Sequence, residues 1–392
     1  MQTNFSRART AVGLVFFCPG LVYGLFTSRL PAIKLQTATD EAQIGLALLA
    51  LGGCCFLSLT ILPRILARMA LKTVVLLSLL GTGLGLLIAA GASSFAGLLA
   101  GAAVTGLCMG LCDGSMNVMG SSLERSSKKP VMSFFHAFYS LGAVASSVLC
   151  FVLAGAGVSA LANAAAGVAG AAALVLFSAT ALPAGETRSA GKARGEAEQA
   201  RRTGMPAMLV ALCAMMTCAY ASDGAVGEWG ALLLTEKGAA EQYAALAYGC
   251  FSASVTAVRL AVDRIRISVD DRHIMAAGMA TAAAGLALAV FADGVALSYA
   301  GFLLVGAGLS PASPILFSHA GRVPGVPPAK GVSTVALFAY SGMLVFPPLI
   351  GTIARSTTVG TGLCAVFVLI TLIAVLSPRL RSVGSGEPHP QV

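Results

Sequence analysis

Asp113 and Asn117 stand four residues apart in the segment Gly106-Leu-Cys-Met-Gly110-Leu-Cys-Asp113-Gly114-Ser-Met-Asn117. On a helix that spacing puts a carboxyl and a carboxamide on one face, a pair able to hydrogen-bond a hydroxylated ligand and, through the carboxyl, to carry a proton. The same pair can instead satisfy a neighbouring helix and simply hold the fold together. Gly106, Gly110 and Gly114 mark an adjacent face where a second backbone can approach closely. A second cluster, His136, Tyr139 and Ser140, has the i, i+3, i+4 spacing that shares one face and offers an imidazole, a phenol and a hydroxyl to a polar ligand or to the Asp113 pair. His136 with Ser140 is also a nucleophile and a base, yet no third group is evident to orient the imidazole for catalysis. The third cluster is Asp223-Gly224-Ala-Val-Gly227-Glu228-Trp229, which contains the one tryptophan of the chain. Asp223 and Glu228 lie about 140° apart around an ideal helix, so they share a cavity only if the glycines bend or unwind the segment.

All three clusters sit inside long apolar runs, and those runs decide the fold class. Of 392 residues, 57% are hydrophobic and 10% charged, with a mean hydropathy of +0.86. No soluble fold hides that much apolar surface with so few solvating groups. Crossing a hydrocarbon core of roughly 30 Å takes about 20 apolar residues as a helix, and the runs are too long and continuous for barrel strands. Spans are predicted near 11–31, 42–62, 73–91, 96–121, 131–155, 160–182, 207–235, 241–262, 273–292, 295–319, 330–354 and 358–377. In this setting an ionised side chain in mid-span costs several kcal/mol unless it is paired, solvated or neutralised. That cost makes Asp113, Asp223 and Glu228 candidates for carrying a proton. Trp229 has two readings, a stacking surface for the apolar face of a sugar or a belt residue near the membrane interface.

The net charge of +9 is a topology signal rather than a nucleic-acid footprint. With Arg7 and Arg9 inside, the cytoplasmic loops collect Arg64, Arg68 and Lys72; Arg125, Lys128 and Lys129; Arg188 through Arg202; Arg259 through Arg272; Arg322 and Lys330; and Arg379 and Arg381. Arg29, Lys34, Lys237 and Arg355 alone fall outside, so both termini are expected in the cytoplasm. The first apolar run is too long for a signal peptide and stays as a span. The ten cysteines lie mostly within spans, as small hydrophobes do, and Cys108 and Cys112 lack the His or carboxylate partners of a metal site.

The longest polar stretch, 183–206, has no apolar periodicity and divides the chain into residues 1–182, with six spans, and 207–380, with six more; 381–392 form a tail. A weak internal echo supports duplication: Gly24-Leu-Phe-Thr-Ser before Ile44-Gly-Leu-Ala, and Gly227-Glu-Trp-Gly before Leu246-Ala-Tyr-Gly. A 6+6 chain with parallel repeats resembles the major facilitator superfamily, whose substrate site lies between the halves near the midplane. That family's loop signature, G-x-x-x-D-R-x-G-R-K, survives in degraded form. After the eighth span, Arg259-Leu-Ala-Val-Asp263-Arg264 keeps the acid-base pair and replaces the leading glycine; after the second, Arg64, Arg68 and Lys72 keep the basic rungs without the acid. The resemblance gives Arg64, Arg68, Asp263 and Arg264 a gating role, while the plainer reading makes Arg64, Arg68 and Lys72 topology anchors only.

Within that superfamily the chain is similar to the fucose–proton symporter branch, which pairs acid-x-x-x-Asn in the fourth span with a polar-aromatic segment ending S-x-G-A in the fifth. Asp113 to Asn117 matches the first and His136 to Ala143 the second, with His136 where that branch often has Gln and Tyr139 where it often has Asn. The resemblance assigns sugar binding and proton coupling to Asp113. The departure is in the first span: Thr27 stands four residues before Pro31, where the fucose carriers have an acid. Bacterial carriers of this branch that share Arg29-Leu-Pro31, Met116-Asn117, Phe135-His136-Ala137 and Glu228-Trp229 are a closer match.

The expectation is therefore an all-α membrane protein of twelve transmembrane helices in two six-helix halves, a monomer in the bacterial inner membrane. It would move a small polar solute, a sugar or related polyhydroxy compound, by alternating access coupled to protons. The expected substrate contacts are Asn117, His136, Tyr139, Ser140, Glu228 and Trp229, with Asp113, Glu228 and Asp223 carrying the proton. No cofactor, metal or nucleic acid is implied, and no phosphate-cradling loop follows a strand. No lysine or arginine is expected in mid-span, which argues against a carboxylate cargo. The alternatives are an exporter of amphipathic compounds and a membrane sensor without flux. Glu124 reads as a gate or solvated helix end; Arg29, Arg355, His319 and Arg322 read as helix-end anchors. Ser310-Pro-Ala-Ser-Pro314 and Phe346-Pro-Pro348 are expected to kink their helices.

Overall fold

A computed structural model describes residues 2–127, 131–183 and 205–380. Lys128, Lys129, Arg188 through Arg202, Arg381 and the tail lie outside the described residues, as does the side chain of Asp263. Among the described residues, twelve helices are long and apolar enough to cross a membrane: α1 Phe5–Ser28, α2 Glu41–Leu66, α3 Leu71–Ala90, α4 Phe95–Ser127, α5 Phe134–Gly155, α6 Ala160–Ala179, α7 Ala207–Glu236, α8 Glu241–Val262, α9 Asp271–Phe291, α10 Val295–Ala320, α11 Lys330–Ser356 and α12 Val359–Arg379. Each crosses back, so the ends of α12 and the start of α1 share one face, called the termini face below. In hydrocarbon the backbone has no water to bond, and the helix is the form in which a single segment satisfies itself.

Short polar signals start and stop these helices. Asp40 and Gln43 form a capping box at the start of α2: Gln43 N–H donates to Asp40 Oδ1 at 2.8 Å, and Asp40 N–H donates to Gln43 Oε1 at 3.0 Å. Glu124, in the last turn of α4, caps the next helix, accepting from the N–H groups of Val131 and Met132 at 2.7 and 3.0 Å. At this helix end its carboxylate thus serves as a cap. Ser310-Pro311 breaks α10 into Val295–Leu309 and Ala312–Ala320, because Pro311 has no N–H for the ladder. The Pro347-Pro348 pair, in contrast, lies within an unbroken helix, and the tight packing of Gly45 in α2 against the Pro347 carbonyl exploits that stretch.

The two six-helix halves repeat one packing plan. α1 packs on α5 and α6, α2 on α4, and α3 on α4; six spans later α7 packs on α11 and α12, α8 on α10, and α9 on α10. Three close crossings recur at a separation of 200 residues. A Cβ on Gly106 would stand 2.0 Å from the Leu51 carbonyl oxygen, and one on Gly306 would stand 2.4 Å from that of Phe251. The same holds for Gly142 over Phe17 and Gly342 over Thr217, at 2.1 and 2.4 Å, and for Gly101 over the Ala89 nitrogen and Gly301 over that of Ala289, at 2.4 and 2.5 Å. Small residues let these backbones meet, and dispersion at short range replaces the hydrophobic drive that lipid does not supply. The halves join through α2 against α11 and α5 against α8, again equivalent pairs, with α1 and α7 meeting on the axis between them.

Candidate functional site

The tightest contacts between the halves gather toward the face opposite the termini. Tyr23 in α1 donates to Glu228 Oε1 in α7 at 3.0 Å, and Ser28 donates to the Ala245 carbonyl at 3.1 Å. Arg29 is 3% exposed; its Nη2 donates to the Val158 carbonyl at 2.6 Å, and its Nε stands 3.2 Å from Glu241 Oε1, an ion pair across the halves without hydrogen-bond alignment. Arg29 is therefore part of an interface between halves, not a plain helix-end anchor. Arg355 pairs with Asp40 at 3.2 Å and bridges α11 to the start of α2. Lys34 bonds Glu41, and the Lys237 ammonium donates to the Ala289 and Ala292 carbonyls at 2.7 Å each, closing the end of α9. Every cation expected outside is thus held by a local partner.

His136 is exposed, although it stands about 120–160° around α5 from Leu141, Val148 and Val152, which face outward. Its exposure is to a space inside the bundle. Phe16 in α1 meets the imidazole edge-on at 5.4 Å, and the ring makes no hydrogen bond with a described residue. Ser140 does not pair with it: the hydroxyl donates to the His136 backbone carbonyl at 3.3 Å and is buried. The geometry of a hydrolase pair is absent from this turn.

Near mid-depth, Asp113 is half-buried and is the point where α4 meets the other half. Tyr340 in α11 donates its hydroxyl hydrogen to Asp113 Oδ2. Asn117 donates to Asp113 Oδ1 at 3.3 Å and to the Asp113 carbonyl at 2.8 Å. Both carboxyl oxygens therefore carry a donor, one from the same helix and one from the opposite half. The Tyr340 ring meets Tyr220 of α7 edge-on at 5.9 Å, and Tyr23 meets Tyr248 of α8 at 5.9 Å. With Tyr139, five of the seven tyrosines of the chain ring the interior between the halves.

The acids of α7 separate. The helix is unbroken from Ala207 to Glu236, so the unwinding at Gly224 and Gly227 that would let both acids share a cavity does not occur. Gly227 instead makes room for Tyr248, whose Cε2 would be 2.9 Å from a Cβ there. Asp223 is half-buried near Tyr220, and Glu228 is sealed at 2% exposure with Oε2 lacking a partner among the described residues. Trp229 is wholly buried, so the belt reading is overturned. The indole faces protein because the end of α7 packs on its neighbours rather than against lipid.

Sequence reasoning missed Tyr23, Tyr220, Tyr248 and Tyr340, although tyrosines within apolar spans are a readable signal of a wet or hydrogen-bonded interior. It also missed Arg259. Counted among loop cations, this residue lies within α8, and its charge acts on His136, Tyr220, Asp223 and Tyr248. It lies in the last turn of the span, so no lysine or arginine in mid-span is added, but the cation faces the interior rather than a loop. Arg64, Arg68 and Arg264 are exposed at the termini face. The built polar contact there is another one: Asp271 accepts from Arg266 at 2.8 and 3.0 Å and lies 3.0 Å from His319 Nε2, tying the ends of α8, α9 and α10.

The family model described as Major Facilitator Superfamily matches residues 12–327. The chain is 26% identical over 378 residues to an uncharacterized MFS-type transporter of Yersinia pestis, covering 95% of this chain and 96% of that one. Among solved structures, a variant of the nucleoside transporter NupG superposes with a TM-score of 0.76 at 13% identity, covering 95% of this chain and 99% of that chain. A variant of the E. coli fucose:proton symporter FucP superposes with a TM-score of 0.64 at 16% identity, over 96% and 98% of the two chains. At these identities the structural likenesses establish the fold.

Proposed function

Because the chain belongs to the Major Facilitator Superfamily and is a multi-pass membrane transporter rather than an enzyme, we propose that it carries a small polyhydroxylated solute by proton-coupled alternating access. The halves are taken as residues 1–182 and 207–380, joined by a cytoplasmic linker over 183–206. The observation that carries this reading is the Asp113–Tyr340 bond near the centre of the bundle, with Asn117 on the second carboxyl oxygen. A hydrogen bond to an ionised carboxylate is roughly twice as strong as a neutral one. When Asp113 takes a proton, the Tyr340 hydroxyl no longer faces an anion and the tie between halves weakens. A solute hydroxyl can then replace either donor, so proton, solute and the rocking of the halves are linked through one side chain.

Asn117, His136 and Tyr139 offer amide, imidazole and phenol to hydroxyl groups in the same cleft, and the tyrosine rings offer flat faces to the C–H side of a sugar. Glu228 and Trp229, sealed where the halves meet, become available when that face opens. Ser140, bonded to its own helix, would contribute only after changing partner. We place both termini in the cytoplasm and the chain, as a monomer, in the bacterial inner membrane. The lysine and arginine distribution supports that orientation, and the cations on the opposite face are few and locally held.

The test is solute-driven proton uptake by purified protein in liposomes, over hexoses, deoxyhexoses, pentoses and polyols, with Asp113→Asn in parallel. Uptake with one solute that disappears in the variant is the expected result. Flux without proton movement would make the protein a facilitator, and a response confined to cationic amphiphiles would make it an exporter.

A further inference from the structure

Two half-buried arginines, Arg9 and Arg259, have no ion pair or hydrogen bond with a described residue; Arg9 lies over the Phe134 ring at 4.7 Å, and Arg259 has no such cover. Tyr248, Ser252, Val255 and Arg259 follow one another along α8 at spacings of four, three and four residues, which places them on one helix face. The first three are buried, whereas Leu260, the next residue, is 65% exposed on the outward side. The guanidinium therefore belongs to the interior face. It is half-buried, and it acts electrostatically on Tyr220 and Asp223 of α7, on Tyr248 of its own helix and on His136 of the opposite half. Yet it forms neither an ion pair within 4.0 Å nor a hydrogen bond with any described residue; Asp223 is a neighbour, not a salt-bridge partner. Arg29, Lys34, Lys237 and Arg266 all have such partners.

A guanidinium presents five N–H donors in a flat fork, and an unpaired one on the interior face of the last turn of α8 leaves those donors open to an anion. That fork matches a carboxylate in bidentate geometry better than any neutral group. We propose that Arg259 receives a carboxylate on the solute, so that the cargo class is a sugar acid rather than a neutral sugar. The hydroxyls of such a molecule then point deeper, toward Tyr139, Asn117 and Asp113. The same charge disfavours ammonium-bearing solutes at the termini-face mouth of the cleft. This inference rests on reading the chain as a carrier of polyhydroxylated solutes, and it narrows that reading.

The test compares matched pairs in proteoliposomes: labelled glucose against glucuronate, and galactose against galacturonate, each at equal concentration. Wild-type protein is expected to take up one of the uronates about tenfold faster than its hexose, the discrimination one charged hydrogen-bond pair supplies. Arg259→Gln is expected to lose the preference and Arg259→Lys to retain part of it. Equal or better uptake of the hexose overturns the assignment to Arg259 and leaves the polyhydroxy reading standing. A preference that survives in Arg259→Gln also overturns it. If wild type moves neither member of any pair, the assignment to Arg259 falls, and the polyhydroxy reading falls with it only if deoxyhexoses, pentoses and polyols are silent too. The wild-type comparison needs no variant to fold, so misfolding of Arg259→Gln cannot mask the outcome.

Discussion

Tyr23 of α1 and Glu228 of α7, 205 residues apart in the chain, share a 3.0 Å hydrogen bond that joins the two halves at the face away from the termini. Glu228 Oε2 has no partner among the described residues, so Tyr23 is the group that makes burial of this carboxyl tolerable in the closed arrangement. Tyr23→Phe removes about 1.5 kcal/mol or more from that arrangement, a shift of roughly tenfold toward separated halves. Spin labels at Leu35 and Ala240 in a cysteine-free background are expected to show a longer distance in the variant. An unchanged distance distribution would mean that the bond does not hold the face shut.

Asp113→Asn keeps an oxygen for Tyr340 and an amide beside Asn117 but cannot take up a proton. Solute-driven proton uptake is expected to fall to background while the melting temperature in detergent stays close to wild type. Tyr340→Phe is expected to weaken coupling without abolishing solute binding. Proton uptake at wild-type rates in Asp113→Asn would move the coupling role to Asp223 or Glu228.

Gly106 is pinned by the Leu51 carbonyl oxygen, 2.0 Å from where a Cβ would stand. Gly106→Val must push α2 from α4 and is expected to cost about 3 kcal/mol or more. Gly170 is the control, since nothing lies within 4 Å of its Cβ position. Gly170→Ala is expected to be neutral or to stabilise α6 by up to about 1 kcal/mol, as alanine does in an open helix position. Thermal unfolding of both variants in the same detergent checks the pair, and equal melting temperatures would refute the packing argument.

Lys237 donates to two carbonyls at the end of α9 and to Ser298 Oγ at 3.1 Å. Burial pushes its pKa down, while Asp293 and Glu236 push it up. Lys237→Met takes its donor from the Ala292 carbonyl and leaves the Ala289 carbonyl with the Ser298 hydroxyl alone, and is expected to lower stability by about 1–2 kcal/mol, with Lys237→Arg intermediate. A melting temperature unchanged in Lys237→Met would show that water replaces the ammonium at no cost.

The twelve spans were legible because membrane helices are written locally, as unbroken apolar runs with basic punctuation. Asp113 and Asn117 were legible for a related reason: i, i+4 neighbours are fixed by helix geometry alone. Tyr340 was not, since its bond to Asp113 closes 227 residues of chain and depends on how α4 and α11 cross. Arg259 was hidden by its position, where an apolar run merges into a basic cluster and the register of the last turn decides between cavity and loop. Trp229 misled because position along a helix says nothing about which neighbours cover it. Whether the glycines of α7 bend or unwind was left open by the sequence, and the space at Gly227 is filled by a ring from α8 rather than used as a hinge.

Trp229 is the one indole of the chain, fully enclosed, and directly follows the carboxyl that Tyr23 holds across the halves. The unlabelled protein thus contains its own fluorophore at the seam. While α1 and α7 stay together its emission comes from a dry surrounding; when they part, water reaches the ring and the spectrum moves to longer wavelength. Each visit to the opposite-facing state then leaves an optical record in the native sequence, one that can be followed through a titration of solute or pH without altering a single residue.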